Sequence, residues 1–140
     1  MSPAIRLLAG VFQLGYSLML LGVGLAGIFT ARWELAQVFG LVDPSALPEH
    51  GGTFLSQYRF LKSIEFCSGI FGLACRGPIL AGEPAALLFL TIVGAGVFAR
   101  VVAWIADGPP NFTFATFLFL EAMTFVLVAM SLRRRHAWSR

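Results

Sequence analysis

Residues 84–106 read PAALLFLTIVGAGVFARVVAWIA, a run that is apolar along its length apart from Thr91 and Arg100. Its length is close to the ~20 residues that a helix needs to cross a bilayer. In hydrocarbon only helices and closed barrels satisfy their backbone hydrogen bonds, and a run of this length is typical of a helix. We therefore predict that residues 84–106 form a transmembrane helix.

Three other runs of similar character are predicted to span, at about residues 5–29, 57–76 and 112–132. The chain is 58% hydrophobic and 12% charged, whereas soluble domains average about 45–50% apolar and about 25% charged residues. The first run is longer than the apolar core of a signal peptide, so we interpret it as an uncleaved span. The predicted fold is all-α: one integral membrane domain over residues 1–140, an up-down bundle of four helices.

The predicted connections differ in length. A turn at residues 107–111 joins the last two spans, and residues 77–83 form a short connection before the third. Residues 30–56 form a long outer loop, in which WELAQVFGLV (33–42) is predicted to be a short amphipathic helix at the interface. The rest of that loop is either a lid over the helix ends or a plain connector.

Basic residues lie at the ends of the apolar runs and not along a stripe, which argues against nucleic acid as a partner. Four spans place both termini on one side. That side holds most of the ten Lys and Arg residues, namely Arg6, Arg76, Arg133, Arg134, Arg135 and Arg140. The positive-inside rule then predicts that both termini are cytoplasmic.

Arg100 and Glu121 are charged residues within predicted spans. Placing a charge at the centre of a bilayer costs about 2.5–3.5 kcal/mol even on the most lenient scale, so such residues usually mark a site. Helical spacing puts Gly96, Arg100, Trp104 and Asp107 on one stripe. Together these arguments give a set of candidate ligand-binding residues in the outer half of the bundle: Tyr58, Arg59, Lys62, Glu65, Arg100, Trp104, Asp107 and Glu121.

Two interpretations of these charges stay open. The cations and carboxylates either neutralise one another as interhelical pairs, or they line an outward-opening pocket with Arg100 as anchor and Glu121 beneath it. Gln13 and Tyr16 on the first span are expected near the depth of Glu121. A ridge of small side chains on the third span is expected to let another helix approach closely: Thr91, Ala95, Ala99 and Ala103.

Other chemistry is scarce in the sequence. His50 and His136 are predicted to lie on opposite sides of the membrane, so neither can join a metal site with the buried carboxylates. No Ser-His-Asp set, zinc-protease motif or phosphate-binding loop occurs. We therefore predict no catalytic residues, no metal and no cofactor.

Four motifs of the chain look familiar: VFGLVDPS (38–45), QYRFLKSIEFCSGIFGL (57–73), GVFARVVAWIADGPPN (96–111) and EAM (121–123). They resemble an uncharacterised bacterial family of small four-helix membrane proteins, catalogued as domain of unknown function 4345. The resemblance implies a multi-pass protein of the bacterial inner membrane. The polar signature it implies is Tyr58-Arg59, Gly96, Arg100, Asp107-Gly108 and Glu121. Lys62 and Glu65 depart from the family pattern, which is glycine-rich after the Tyr-Arg pair.

The leading functional hypothesis is a non-enzymatic membrane protein. It either binds a lipid or other small amphipath, or serves as an accessory subunit of a larger membrane complex; a homo-oligomer is a further expectation. One alternative is a small proton-coupled exporter that uses Glu121, although a cation beside this carboxylate would oppose proton uptake. Another is an intramembrane enzyme acting on a lipid or quinone.

Overall fold

The computed structural model describes residues 3–38, 40 and 51–133, and within them it is helical throughout apart from short turns. The elements are α1 (Pro3–Trp33), a π-helical turn (Glu34–Val38), α2 (Gly51–Ala74), α3 (Arg76–Ala81), α4 (Pro84–Asp107) and α5 (Phe112–Arg133). The all-α prediction is confirmed for the described residues. The end of the predicted interfacial helix, most of the long loop and the basic cluster from residue 134 onward lie outside them.

Three helical segments are long and apolar enough to cross a membrane: Pro3–Val38, Pro84–Asp107 and Phe112–Leu132. This finding supports a membrane protein. Helix α2, predicted to span at 57–76, begins earlier, at Gly51, and carries Arg59, Lys62 and Glu65. It is not among the three candidate segments. The four-span bundle and the cytoplasmic termini therefore stay predictions.

The connection predicted at 77–83 is mostly helical, because α3 occupies Arg76–Ala81. Pro78 is tolerated there because the first turn of a helix needs no donor from its backbone nitrogens. The helix ends at Gly82, whose φ of 82° lies in the left-handed region that favours glycine. Glu83 is extended and Pro84 opens α4, a position at which proline is common.

The turn predicted at 107–111 is confirmed, because residues 108–111 separate α4 from α5. Gly108 has a φ of 98°, again a conformation that favours glycine. The Asn111 side-chain oxygen accepts a hydrogen bond from the backbone N–H of Phe114 at 3.0 Å. It thereby satisfies one of the unpaired donors at the start of α5.

The chain divides into two compact units. The first comprises residues 1–17 and 71–140, and here α4 packs along α5, and α3 packs against both. Its buried apolar residues include Ala9, Ile79, Ala86, Phe89, Val93 and Val128. The ridge Thr91, Ala95, Ala99 and Ala103 is exposed, so no described helix of this chain covers it, and the close approach of another helix there stays a prediction.

The second unit comprises residues 18–70. Its apolar cluster consists of Ala31, Leu35 and Leu55, with Tyr58 packed against it. Within this unit α1 approaches α2 closely at Gly24. A Cβ placed on Gly24 would lie 2.8 Å from both the Lys62 carbonyl oxygen and the Phe66 Cα. These are backbone atoms, so they have no rotamer with which to move away.

We expect Gly24→Ala to lower the free energy of unfolding by about 1–3 kcal/mol, the usual cost of overpacking. The matched control is Gly22→Ala, because a Cβ at Gly22 meets nothing within 4 Å. There, alanine should be neutral or stabilise the helix by up to about 1 kcal/mol. Thermal unfolding of the detergent-solubilised variants, followed by circular dichroism, measures both values. Equal stabilities of the two variants would show that the helices do not touch at Gly24.

Candidate functional site

Arg100 of α4 and Glu121 of α5 form a two-point ion pair. The Arg100 Nε donates to Glu121 Oε2 at 2.7 Å, and Nη2 donates to Oε1 at 3.2 Å. The Glu121 side chain is 5% exposed and that of Arg100 is 27% exposed. The prediction that these two charges face each other is confirmed. Such forked, charge-assisted pairs are the strong class of hydrogen bond, and they fix the orientation of both groups.

Tyr16 completes the surroundings of the Glu121 carboxylate. Its hydroxyl donates to Glu121 Oε1 at 3.4 Å, and its ring meets Phe89 edge-on. The expectation that Tyr16 lies near Glu121 is thus confirmed. Gln13 is fully buried one turn earlier and donates to the Gly72 carbonyl oxygen at 2.7 Å. Glu121 therefore accepts three hydrogen bonds, and its two oxygens are both occupied.

The Arg100 guanidinium retains unused donors. Arginine has five N–H groups in a planar fork, and two of them donate to Glu121. No described residue accepts a hydrogen bond from Nη1. The Phe114 and Phe117 rings each lie 5.6 Å from the guanidinium carbon, within cation–π distance. Arg100 is thus held by α5 on one side and still able to donate to another group.

Beside this pair lies a cavity of about 350 Å³, which we call the Arg100 pocket. It is lined by Arg100, Ala103, Trp104, Asp107, Gly108, Pro109, Pro110, Phe114 and Leu118. The stripe predicted from helical spacing therefore does bring Arg100, Trp104 and Asp107 to one pocket. Asp107 is exposed, and its carboxylate has no ion-pair partner among the described residues. The pocket thus combines a cation, a carboxylate and apolar walls.

A second charged group, here called the Lys62 cluster, lies in the unit of residues 18–70. Lys62 Nζ is 3.0 Å from Glu34 Oε1 and 3.0 Å from Glu65 Oε2. The Lys62 and Glu34 side chains are buried, whereas that of Glu65 is 34% exposed. The i,i+3 neighbourhood of Lys62 and Glu65 was predicted, and it is confirmed.

Glu34 is the residue that sequence reasoning missed. It falls in the segment assigned to an interfacial helix, where a glutamate is expected to face water. The structure instead continues α1 to Trp33 and places Glu34 in a π-helical turn, buried against Lys62. The available signal was Lys62 itself, since a lysine within an apolar helix requires a counter-charge.

Tyr58 and Arg59 make their contacts within the same unit. Tyr58 packs against the apolar cluster, and Lys62 Nζ lies 5.3 Å from the centre of its ring. Arg59 is exposed, and its Nε donates to the Ile28 carbonyl oxygen at 3.1 Å. The structure gives Tyr58, Arg59, Lys62 and Glu65 structural partners, and their predicted contact with a ligand stays a prediction. The expectation that these charges and those of the Arg100 pocket form one combined cluster also stays a prediction.

Within the described residues, no group of three or more His, Cys, Asp or Glu side chains is placed to hold a metal ion. His50 and His136 lie outside these residues. No known protein family, curated protein or solved structure matches the chain. The resemblance to the four-helix family therefore stays a prediction.

Proposed function

We propose that this chain is a multi-pass protein of the bacterial inner membrane that binds a lipid or other small amphipath in the Arg100 pocket. The proposal depends on one observation above all. A single cavity is lined at once by a guanidinium and a carboxylate that keep hydrogen-bonding capacity not used by any described residue, together with aromatic side chains. Ligand sites are typically concave and mostly apolar, with a few polar groups that fix orientation.

Both halves of an amphipath find a matching surface in this pocket. Arg100 and Asp107 offer charge to a polar head, and Trp104, Phe114 and Leu118 offer apolar contact to the carbons beneath it. The volume of about 350 Å³ falls at the small end of the usual range for ligand sites, about 300–1,000 Å³. It therefore suits a head group and the adjoining carbons, while longer chains would lie along the outside of the helices.

The proposed arrangement has four spans, with α2 as the second and both termini in the cytoplasm. Helix α4 then ends on the outer side at Asp107, and the pocket opens toward the outer leaflet. Two of the three charges of α2 are consistent with insertion, because Lys62 pairs with Glu65 and with Glu34 of the π-helical turn. Paired charges cost less to bury than isolated ones. Assembly into a homo-oligomer or a larger complex belongs to the same proposal.

The geometry favours binding over proton-coupled export. An exporter would need Glu121 to take up and release a proton, yet this carboxylate accepts two hydrogen bonds from Arg100 and one from Tyr16. The forked pair would have to open in every cycle. Substrate flux into proteoliposomes that is insensitive to Glu121→Gln would eliminate the exporter.

Filling the pocket tests the proposal without altering any charge. We expect Ala103→Trp to place an indole in the pocket and to reduce bound lipid at least tenfold. The measurement is native mass spectrometry of protein extracted from membranes in mild detergent. Ala99→Trp is the matched control, because Ala99 lies one turn away on the same exposed ridge and does not line the pocket. Equal lipid occupancy in the two variants, or no bound amphipath in the wild type, would contradict the proposal.

A further inference from the structure

We propose that the ligand of the Arg100 pocket is a phospholipid with a zwitterionic head that carries a primary ammonium group, as phosphoethanolamine does. This inference rests on the proposed function, since it names the head-group class for the same pocket. It follows from the sign of the charges around the pocket, from their order along α4 and from the hydrogen bonds that each group can still make.

The balance of charge argues against a purely anionic head group. Glu121 neutralises Arg100, so the formal charge of these two residues together is zero. Asp107 adds one negative charge that no described residue neutralises. A ligand with only negative charge would therefore be attracted by a guanidinium that is already paired and repelled by the Asp107 carboxylate, which has no ion-pair partner among the described residues. A ligand that also carries a positive charge would be attracted both by the Arg100 guanidinium and by the Asp107 carboxylate.

The order of the charges along α4 matches the orientation of a zwitterionic phospholipid. Arg100, Trp104 and Asp107 follow one another at i, i+4 and i+7, so they lie on one face of the helix. Asp107 is the last residue of α4, and Arg100 lies about 10 Å deeper at ~1.5 Å per residue. In a phospholipid the ammonium is the outermost group and the phosphate lies between it and the chains. The carboxylate therefore meets the ammonium, and the guanidinium meets the phosphate.

The length of the head group is also compatible with the spacing of Arg100 and Asp107 along α4. Four bonds join phosphorus to nitrogen in phosphoethanolamine, which at about 1.5 Å per bond and tetrahedral angles gives roughly 4–5 Å. A hydrogen bond of about 2.9 Å at each end gives a span similar to the ~10 Å rise of α4 between the α carbons of Arg100 and Asp107.

Each pocket residue has a defined task in this complex. The unused N–H groups of Arg100 donate to phosphate oxygens, a pairing for which the planar guanidinium is well suited. The ammonium donates to the Asp107 carboxylate and lies against Trp104, whose ring face attracts cations. Choline has no N–H and would lose the hydrogen bond to Asp107. Leu118 and Ala103 contact the first carbons of the chains.

The test uses the full chain in nanodiscs that contain phosphatidylethanolamine, phosphatidylcholine and phosphatidylglycerol in equal amounts. Native mass spectrometry reads which lipid is retained. We expect at least tenfold retention of phosphatidylethanolamine over phosphatidylglycerol. Asp107→Asn should reduce that ratio about tenfold. Asp107 is exposed, so we expect this substitution to leave the fold intact. Glu83→Gln, at the other end of α4, is the matched control and should leave the ratio unchanged.

The outcomes separate the two proposals. If no lipid is retained by any form of the protein, the proposed function fails and this inference fails with it. If lipid is retained but phosphatidylglycerol equals or exceeds phosphatidylethanolamine, or if Asp107→Asn and Glu83→Gln behave alike, only the head-group inference is overturned. Displacement of the lipid by free phosphoethanolamine at millimolar concentration would assign the site to a water-soluble ligand. It would contradict the proposal that the ligand is a phospholipid.

Discussion

Replacing Arg100 with methionine is expected to lower the free energy of unfolding by about 3–5 kcal/mol, the cost of removing one partner of a buried ion pair. The Glu121 side chain is 5% exposed, so the substitution leaves its carboxylate without a cation. Of the three hydrogen bonds that it accepts, only the one from Tyr16 remains. Methionine keeps most of the volume and the flexibility of the arginine stem, so loss of packing contributes little.

Replacing the other partner of the pair, Glu121, should lower the free energy of unfolding much less. In Glu121→Gln the side chain keeps its shape and an oxygen that accepts from Arg100 or Tyr16. The Arg100 side chain is 27% exposed and long enough to turn its head toward water or lipid head groups. We therefore expect the free energy of unfolding to fall by about 1–2 kcal/mol, the range expected when a hydrogen bond to a charged group is replaced by one to a neutral group.

The double variant Arg100→Met with Glu121→Met separates pairing from packing. Replacing a buried pair by apolar residues of similar volume is often neutral, so the double variant should be more stable than Arg100→Met alone. Thermal unfolding in one detergent of Arg100→Met, Glu121→Met and the double variant, analysed as a double-mutant cycle, gives the coupling energy. Additive losses, or a larger loss for Glu121→Gln than for Arg100→Met, would show that the pair does not hold α4 to α5.

The Arg100–Glu121 pair was predictable because each charge stands alone in an apolar run. A charge in that setting has few available partners, and helical spacing limits them further. Spacing along α4 likewise brought Trp104 and Asp107 to the same pocket as Arg100. These features follow from local periodicity, which the sequence displays directly.

The features that were missed depend on where helices begin, end and bend. The helix α3 occupies a segment with Gly77 and Pro78, whose composition favoured a connection. Helix α1 runs to Trp33 with non-helical backbone angles at Thr30, and Glu34, just beyond its end, is buried. The small-residue ridge of α4 is exposed among the described residues, whereas two helices approach closely at Gly24, a contact that the residue spacing did not indicate. Partner choice between helices depends on three-dimensional packing that residue spacing within one helix does not specify.

Replacing Lys62 with methionine is expected to have a similarly large effect in the unit of residues 18–70. Lys62 lies 3.0 Å from Glu34, and both side chains are less than one-tenth exposed. Without the ammonium, the Glu34 carboxylate stays buried beside Tyr58 and the apolar cluster with no counter-charge from Lys62. The expected loss is again about 3–5 kcal/mol, because a buried charge that loses its partner pays its full desolvation penalty.

The two carboxylates around Lys62 supply the control for this prediction. Glu65 makes an ion pair of the same length as Glu34 does, yet its side chain is 34% exposed. Exposed ion pairs contribute about 0–1 kcal/mol, so Glu65→Gln should scarcely change stability. Adding Glu34→Gln to Lys62→Met should recover part of the loss, because the amide carries no charge to bury. If Lys62→Met and Glu65→Gln unfold at the same temperature in detergent, burial does not set the strength of these pairs, and Glu34 has no structural role in joining α1 to α2.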